Sequence, residues 1–234
     1  MSSAVARSPE EDGAAARPRP GTCECPEVVG ARLRASRLEK GLGVRELARR
    51  LEVSPSLVSQ IETGKARPSV KTLYAIVSEL GVSIDELLAP AGAAETPSSS
   101  TSATETLETA LGFGEESPGN ESGLVQRADD RRSIELEAGV RWERLTPFHD
   151  PDIDFIYAIY CVGGSSSPTG KLIRHSGREF GLVLSGRLGV TVGFEECELG
   201  PGDSIAFDST TPHRLHNDGD EEARAIWVVY GRRG

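Results

Sequence analysis

Three short polar side chains, Ser56, Ser59 and Gln60, line one side of a segment whose other side is apolar. Two hydroxyls and a carboxamide on one helix face can hydrogen-bond base edges in the major groove of DNA. Gln can engage adenine through two bonds at once. Gly64 ends the segment, and Lys65 and Arg67 follow where a phosphate backbone would pass. Cations there add affinity without sequence preference, while the helix does the reading. The residue types point to nucleic-acid recognition.

The elements that must hold this face are helical, and five are predicted within residues 28–89. The first runs from about Val28 to Lys40, with Val29, Leu33 and Leu38 inward and Arg32, Arg34 and Arg37 outward. The second covers Val44 to Leu51, with Leu47, Ala48 and Leu51 inward; the small Ala48 lets another helix cross closely. Val53 fills the turn that follows. Ser54 is placed to cap the third helix, and Pro55 sits at its first position, where a missing N–H costs nothing. That helix extends to Thr63 and buries Leu57, Val58 and Ile61. Ser69 caps the fourth, which carries Val70, Leu73, Ile76, Val77 and Leu80 at helical spacing. Ser83 and Glu86 form a capping box for the fifth, and Val82 with Leu87 staples its start.

The formal net charge of −10 seems to oppose binding to a polyanion. Its distribution removes the conflict. Residues 1–27 carry −2, residues 91–122 carry −6 and residues 123–234 carry −5, whereas residues 28–90 carry +3. Screening confines such fields to about 8–10 Å, so the local sign governs.

Residues 28–89 resemble the five-helix DNA-binding domain of phage-repressor and Xre-type regulators. The run SxxSQIExGKxxPSxxTL, Ser56 to Leu73, carries the likeness most specifically. The resemblance implies base contacts from Pro55, Ser56, Ser59 and Gln60, with Ser54 at the start of the reading helix. It implies phosphate contacts near Arg45, Lys65 and Arg67, and a structural role for Glu62. Gly43 departs from the family, many of whose members cap the second helix there with Thr or Ser.

From Leu124 the pattern changes to short β-type runs divided by Gly, Pro and Asp. Strands are predicted at Ser133–Leu136, Arg141–Leu145, Phe155–Val162, Lys171–Arg174, Phe180–Ser185, Gly189–Val192, Ser204–Phe207 and Ala225–Val229. Eight such strands suit a double-sheet jelly roll or small barrel. Its expected interior is Ile156, Ala158, Leu182, Leu184, Ile205, Phe207, Ile226 and Val228.

Two segments, Gly170 to Val190 and Leu199 to Asn217, resemble the two motifs of the cupin superfamily. In metal-binding cupins these motifs supply three His and one Glu. The resemblance places His175, Glu179 and His213 at three of those positions, and Ile173 at the position of the first His. Two imidazoles and a carboxylate can bind Fe(II), Zn(II) or Mn(II) with positions left open. The other arrangement open to them is a polar pair of His175 and Glu179 at a pocket mouth without metal. His216 is expected at the surface, Arg174 and Arg178 in solvent or on an anionic ligand, and Pro201–Asp203 and Gly186 are expected to shape turns.

The expected architecture has two domains: an all-α five-helix domain at 28–89 and an all-β cupin at 123–234. A tail (1–27) and a Ser/Thr/Glu-rich linker (90–122) of disordered composition complete it. No apolar run approaches the length of a membrane span and no secretory leader is seen, which leads to a cytoplasmic, nucleoid-associated protein. Cys23, Cys25, Cys161 and Cys197 make no CxxC pair, so no disulfide framework is expected, and Cys23 and Cys25 are read as part of a solvated tail.

The function expected is that of a transcriptional regulator without enzyme activity. It would bind a palindromic double-stranded operator as a homodimer and respond to a small-molecule effector in the cupin. The alternative is a mononuclear non-haem iron enzyme similar to phosphonate epoxidases, built on the His175, Glu179, His213 set.

Overall fold

The computed structural model describes residues 25–88, 124–148, 150 and 152–231. The expected linker lies outside them, as does the expected tail up to residue 24. Four helices of two turns or more and one single turn build the N-terminal domain: α1 (Pro26–Glu39), α2 (Val44–Arg50), α3 (Pro55–Glu62), α4 (Val70–Leu80) and the turn α5 (Ile84–Leu87). The side chains of Ser54 and Ser69 accept hydrogen bonds from the amides of Leu57 and Thr72, both at 3.1 Å, and start α3 and α4. The Ser83–Glu86 box is reciprocal, with bonds of 2.9 and 3.0 Å. Gly43 gives α2 no side-chain cap.

The helical core holds Val29, Leu33, Leu47, Ala48, Val58, Ile61, Leu73, Ile76, Val77 and Leu80. At the α1–α3 crossing, a Cβ on Gly30 would stand 2.3 Å from the carbonyl oxygen of Ile61. Three expectations for α1 are corrected here. Leu38 is exposed rather than inward. Arg37 is buried and Arg32 half-buried, so that of the three arginines only Arg34 faces solvent. The reason is pairing: Arg37 binds Glu62, and the Arg32 guanidinium donates to the Leu87 carbonyl.

The C-terminal domain has nine strands: β1 (Ser133–Leu136), β2 (Val140–Arg144), β3 (Ile153–Tyr160), β4 (Arg178–Ser185), β5 (Leu188–Val192), β6 (Glu195–Leu199), β7 (Ser204–Asp208), β8 (His213–His216) and β9 (Ala223–Tyr230). They form a six-stranded sheet, β1-β2-β3-β9-β4-β7, and a three-stranded sheet, β6-β5-β8. All named pairings are antiparallel. The expected strand at Lys171–Arg174 is absent; Ile173 makes a single bridge to His213. Two strands were not anticipated. β6 (EECEL) is exposed at every position but its last, and β8 (HRLH) is four residues with two histidines. Neither presents an alternating apolar face, which is the signal by which strands are read.

The expected interior is half right. Ile156 and Ala158 are buried, and Ile205 and Phe207 pack against the core. Leu182 and Leu184 instead face outward at 40% and 43% exposure, and Ile226 and Val228 share their face. The inward positions of β4 are Glu179, Gly181 and Val183, and those of β9 are Ala225, Trp227 and Val229. A one-residue phase error moves a whole strand face. It arose in β4 because the inside carries a carboxylate and a glycine while the outside is apolar, and in β9 because both faces are apolar.

The two domains touch. The amide of Lys71 donates to Ser166 O at 3.2 Å, and the amide of Glu137 donates to Pro68 O at 2.9 Å. Buried residues of both domains form one continuous apolar cluster.

Candidate nucleic-acid interface and metal centre

α3 is positioned from two sides. Its apolar face, Val58 and Ile61, enters the helical core. Its last residue, Glu62, receives both arms of the Arg37 guanidinium: Nε at 2.5 Å from Oε1 and Nη2 at 2.9 Å from Oε2. Arg37 Nη1 also donates to the Leu42 carbonyl at 2.6 Å, tying the end of α1 into the same clamp. The structural role expected of Glu62 is therefore to tie the end of α3 to α1.

The opposite face presents Ser54, Pro55, Ser56, Ser59 and Gln60, all exposed. The Ser54 hydroxyl accepts the cap bond from Leu57 N. Gln60 offers its backbone carbonyl to the amides of Lys65 (2.8 Å) and Ala66 (3.2 Å). The loop bearing Lys65 and Arg67 is thus tied to the C-terminal turn of α3 through the Gln60 carbonyl. Arg45, Lys65 and Arg67 are exposed. Arg49 and Arg50 are already paired with Glu46, and Arg50 also with Glu79.

The second constellation lies inside the cupin. His175 precedes β4, Glu179 is on β4 and His213 begins β8. Nε2 of His175 stands 3.0 Å, and Nε2 of His213 3.1 Å, from Oε1 of Glu179, and none of the three side chains is more than 4% exposed. Each ring's Nδ1 lies against a backbone carbonyl: His175 on Ser176 O at 3.0 Å and His213 on Thr211 O at 2.9 Å. A carbonyl only accepts, so both Nδ1 atoms carry hydrogen. In the neutral rings Nε2 is then a lone pair. The indole N–H of Trp227 donates to the other oxygen of Glu179 at 2.6 Å. Gly181 makes room for that ring, since a Cβ there would lie 2.1 Å from it.

Nε2 of both histidines and Oε1 of Glu179 are buried without a hydrogen-bond partner. Three converging buried acceptors are costly unless a cation or protons neutralise them. Burial opposes ionisation of Glu179, but hydrogen bonds from the two imidazoles when their Nε2 atoms are protonated outweigh this and hold the carboxyl at about 2. For His213, burial disfavours the charged ring and Glu179 overrides it, so its pKa is raised. The donor set fits a divalent cation: a carboxylate, two nitrogen lone pairs and backbone carbonyls that fix the ring orientation. The three ligand atoms lie within 4.8 Å of one another. Ile173, at the missing imidazole position, is buried and paired with His213, so this corner of the group is apolar.

Comparison with known proteins gives the same two parts. A helix-turn-helix family model matches residues 33–87, and a cupin-domain model matches residues 159–229. The uncharacterized HTH-type transcriptional regulator y4dJ of Sinorhizobium fredii is 39% identical over 71 residues, which span 90% of that protein and 30% of this one. This chain belongs to the Xre-type helix-turn-helix regulators and carries a C-terminal cupin domain. The HTH-type transcriptional regulator PuuR of Escherichia coli is 26% identical over 192 residues, covering 80% of this chain and 86% of PuuR. A crystal structure of an HTH_3 family transcriptional regulator from Vibrio cholerae shares the fold, with a TM-score of 0.57 at 19% identity, over 89% of this chain and 98% of that one. Family membership, not the metal group, decides between the regulator and the iron-enzyme readings.

Sequence reasoning missed the aromatic side chains around this regulator's His/Glu group: Trp227, which donates to Glu179, and Tyr74, which stacks on His175. Tyr74 of α4 stacks on His175 with ring centroids 4.2 Å apart and planes 20° apart. Trp142 of β2 lies 5.5 Å from Tyr74. In the sequence Tyr74 stands beside the apolar stripe of α4 and reads as one more core residue. No helix among the described residues is long and apolar enough to cross a membrane.

Proposed function

We propose that this regulator reads a palindromic double-stranded operator as a homodimer, and that its cupin holds a divalent cation and takes up a small-molecule effector. The observation that carries the first part is the exposed polar face of α3 between Arg45 and the Lys65–Arg67 loop. Pro55, Ser56, Ser59 and Gln60 would meet base edges in the major groove, with Ser54 at the helix start. Arg45, Lys65 and Arg67 would meet phosphates. The protein would act on the chromosome, in the cytoplasm.

Dimerisation is supported by the outer face of the six-stranded sheet. Phe155, Val228 and Phe180 form one cross-strand row, and Tyr157, Ile226 and Leu182 the next. Phe155, Phe180, Leu182 and Leu184 are exposed. So apolar a face on a folded domain marks an association surface. A second copy is the occupant that a two-fold operator requires. Leu182→Glu is expected to leave the fold intact and convert the dimer to monomer in sedimentation equilibrium. An unchanged dimer would place the contact elsewhere.

His175, Glu179 and His213 would hold Fe(II), Zn(II) or Mn(II). The ion would supply Lewis acidity and open positions for an oxygen or nitrogen donor of the effector. The residues of the chain orient it: the Ser176 and Thr211 carbonyls set the rings, and Trp227 sets the carboxylate. Selection of bound duplexes from a random pool tests the regulator reading. It is expected to return a palindrome with half-site centres about 34 Å, one helical turn, apart. A pool without a preferred sequence would overturn it.

A further inference from the structure

The metal group is walled almost entirely by the cupin itself. Phe207 lies 5.0 Å from the His213 ring, Trp227 holds Glu179, and Ile173 pairs with His213. Phe207 and Trp227 sit on strands held by the ladder of the six-stranded sheet. Tyr74 is different. It comes from the DNA-reading domain, is itself 5% exposed, and covers the face of the His175 ring. The backbone bonds that bring α4 there, Lys71 to Ser166 and Glu137 to Pro68, are isolated contacts between loops and ends of elements rather than parts of a ladder. With every ligand side chain at most 4% exposed, nothing reaches the group until some wall moves. Among these walls α4 is the one that no cupin strand carries; two loop bonds and the apolar contact between the domains hold it.

We propose that the helical domain is the lid of the metal centre and that Tyr74 is its latch. The inference rests on the metal reading above and deepens it. An ion exchanges only when α4 lifts. A ligand large enough to occupy the ion's open positions beside His175 competes with Tyr74 for the same space, so it binds the lifted state. Differential affinity for the two states is what couples a ligand to a conformational equilibrium. Effector binding therefore frees the DNA-reading domain from the cupin, and docking of that domain weakens effector binding by the same factor. The reading face of α3 is exposed in the docked state. The lid thus alters how the two readers of a dimer are held relative to each other, not whether each is covered.

The test uses the full chain, with Co(II) as the probe ion and EDTA as the competing chelator. In the wild type the rate of Co(II) removal should level off with EDTA concentration, because opening limits it. In Tyr74→Ala removal should be about tenfold faster, the scale of one lost aromatic stack, and rise with EDTA. Tyr74→Phe keeps the stacked ring and should stay far closer to wild type than Tyr74→Ala. Separately, hydrogen exchange of the Lys71 and Glu137 amides should be slow in the wild type and in Tyr74→Phe and fast in Tyr74→Ala, with or without metal. Equal Co(II) removal from wild type and Tyr74→Ala, or equal amide exchange, would overturn the lid. If Co(II) does not bind the wild type, the metal reading fails by itself. The amide exchange then still decides the latch, accelerated exchange in Tyr74→Ala supporting it and equal exchange overturning it.

Discussion

Arg37→Ala should cost about 3–5 kcal/mol of stability, because it strands one charge of a buried ion pair. The two side chains are 5% and 7% exposed and joined by two short bonds. Once Arg37 is gone, the Glu62 carboxylate has no counter-ion, and the Leu42 carbonyl loses its donor as well. Urea unfolding monitored by helical circular dichroism is the measurement. The double variant Arg37→Met, Glu62→Leu should recover most of the loss, since an apolar pair of similar volume carries no desolvation cost. A single variant within about 1 kcal/mol of wild type would mean that the pair does not position α3. Because Glu62 ends α3, the proposed reading helix, Arg37→Ala should also weaken DNA binding below the midpoint of unfolding.

Glu179→Gln should reduce divalent-metal affinity by about a hundredfold or more, above the 10–100-fold range typical of outer-shell partners. The substitution is nearly isosteric. The Trp227 indole can still donate to a carboxamide oxygen, so the strand and its Gly181–Trp227 packing persist. What disappears is the one formal negative charge facing two imidazole lone pairs. Titration with Zn(II), Mn(II) and Fe(II) should show one site per chain in the wild type and none of comparable strength in the variant. Equal affinity in both would mean that any metal sits elsewhere and that His175 and Glu179 form only a polar pair.

The parts of the structure that sequence reveals are those fixed by local chemistry. Ser54, Ser69 and the Ser83–Glu86 pair announce helix starts, because a cap bond spans only three residues. The exposed set Ser56, Ser59 and Gln60 follows from helical period alone once Val58 and Ile61 are placed inside. Arg37 was hidden because a lone arginine on a helix reads as solvated; its partner is 25 residues away. β4 and β9 misled for a related reason. Their interior takes in a polar group, Glu179 beside Gly181 and Trp227, while Phe180, Leu182, Leu184, Ile226 and Val228 lie on the outer face. Binary patterning assumes that only the core face is apolar, and here the outer face is apolar too. The grouping of His175, Glu179 and His213 was legible through the cupin motifs, but Tyr74 was not. Its contact with His175 joins two domains across a hundred residues, and no periodicity encodes that.

Binding of the selected duplex and of a shuffled duplex of equal composition, by wild type and Gln60→Ala at several salt concentrations, tests the central claim most directly. The wild type should prefer the selected duplex by at least about a thousandfold, with affinity falling steeply as salt rises. Gln60→Ala should lose about 1–3 kcal/mol on the selected duplex and nothing on the shuffled one. Equal binding of both duplexes by the wild type, or an unchanged preference in Gln60→Ala, would contradict the assignment of α3 as the reading helix.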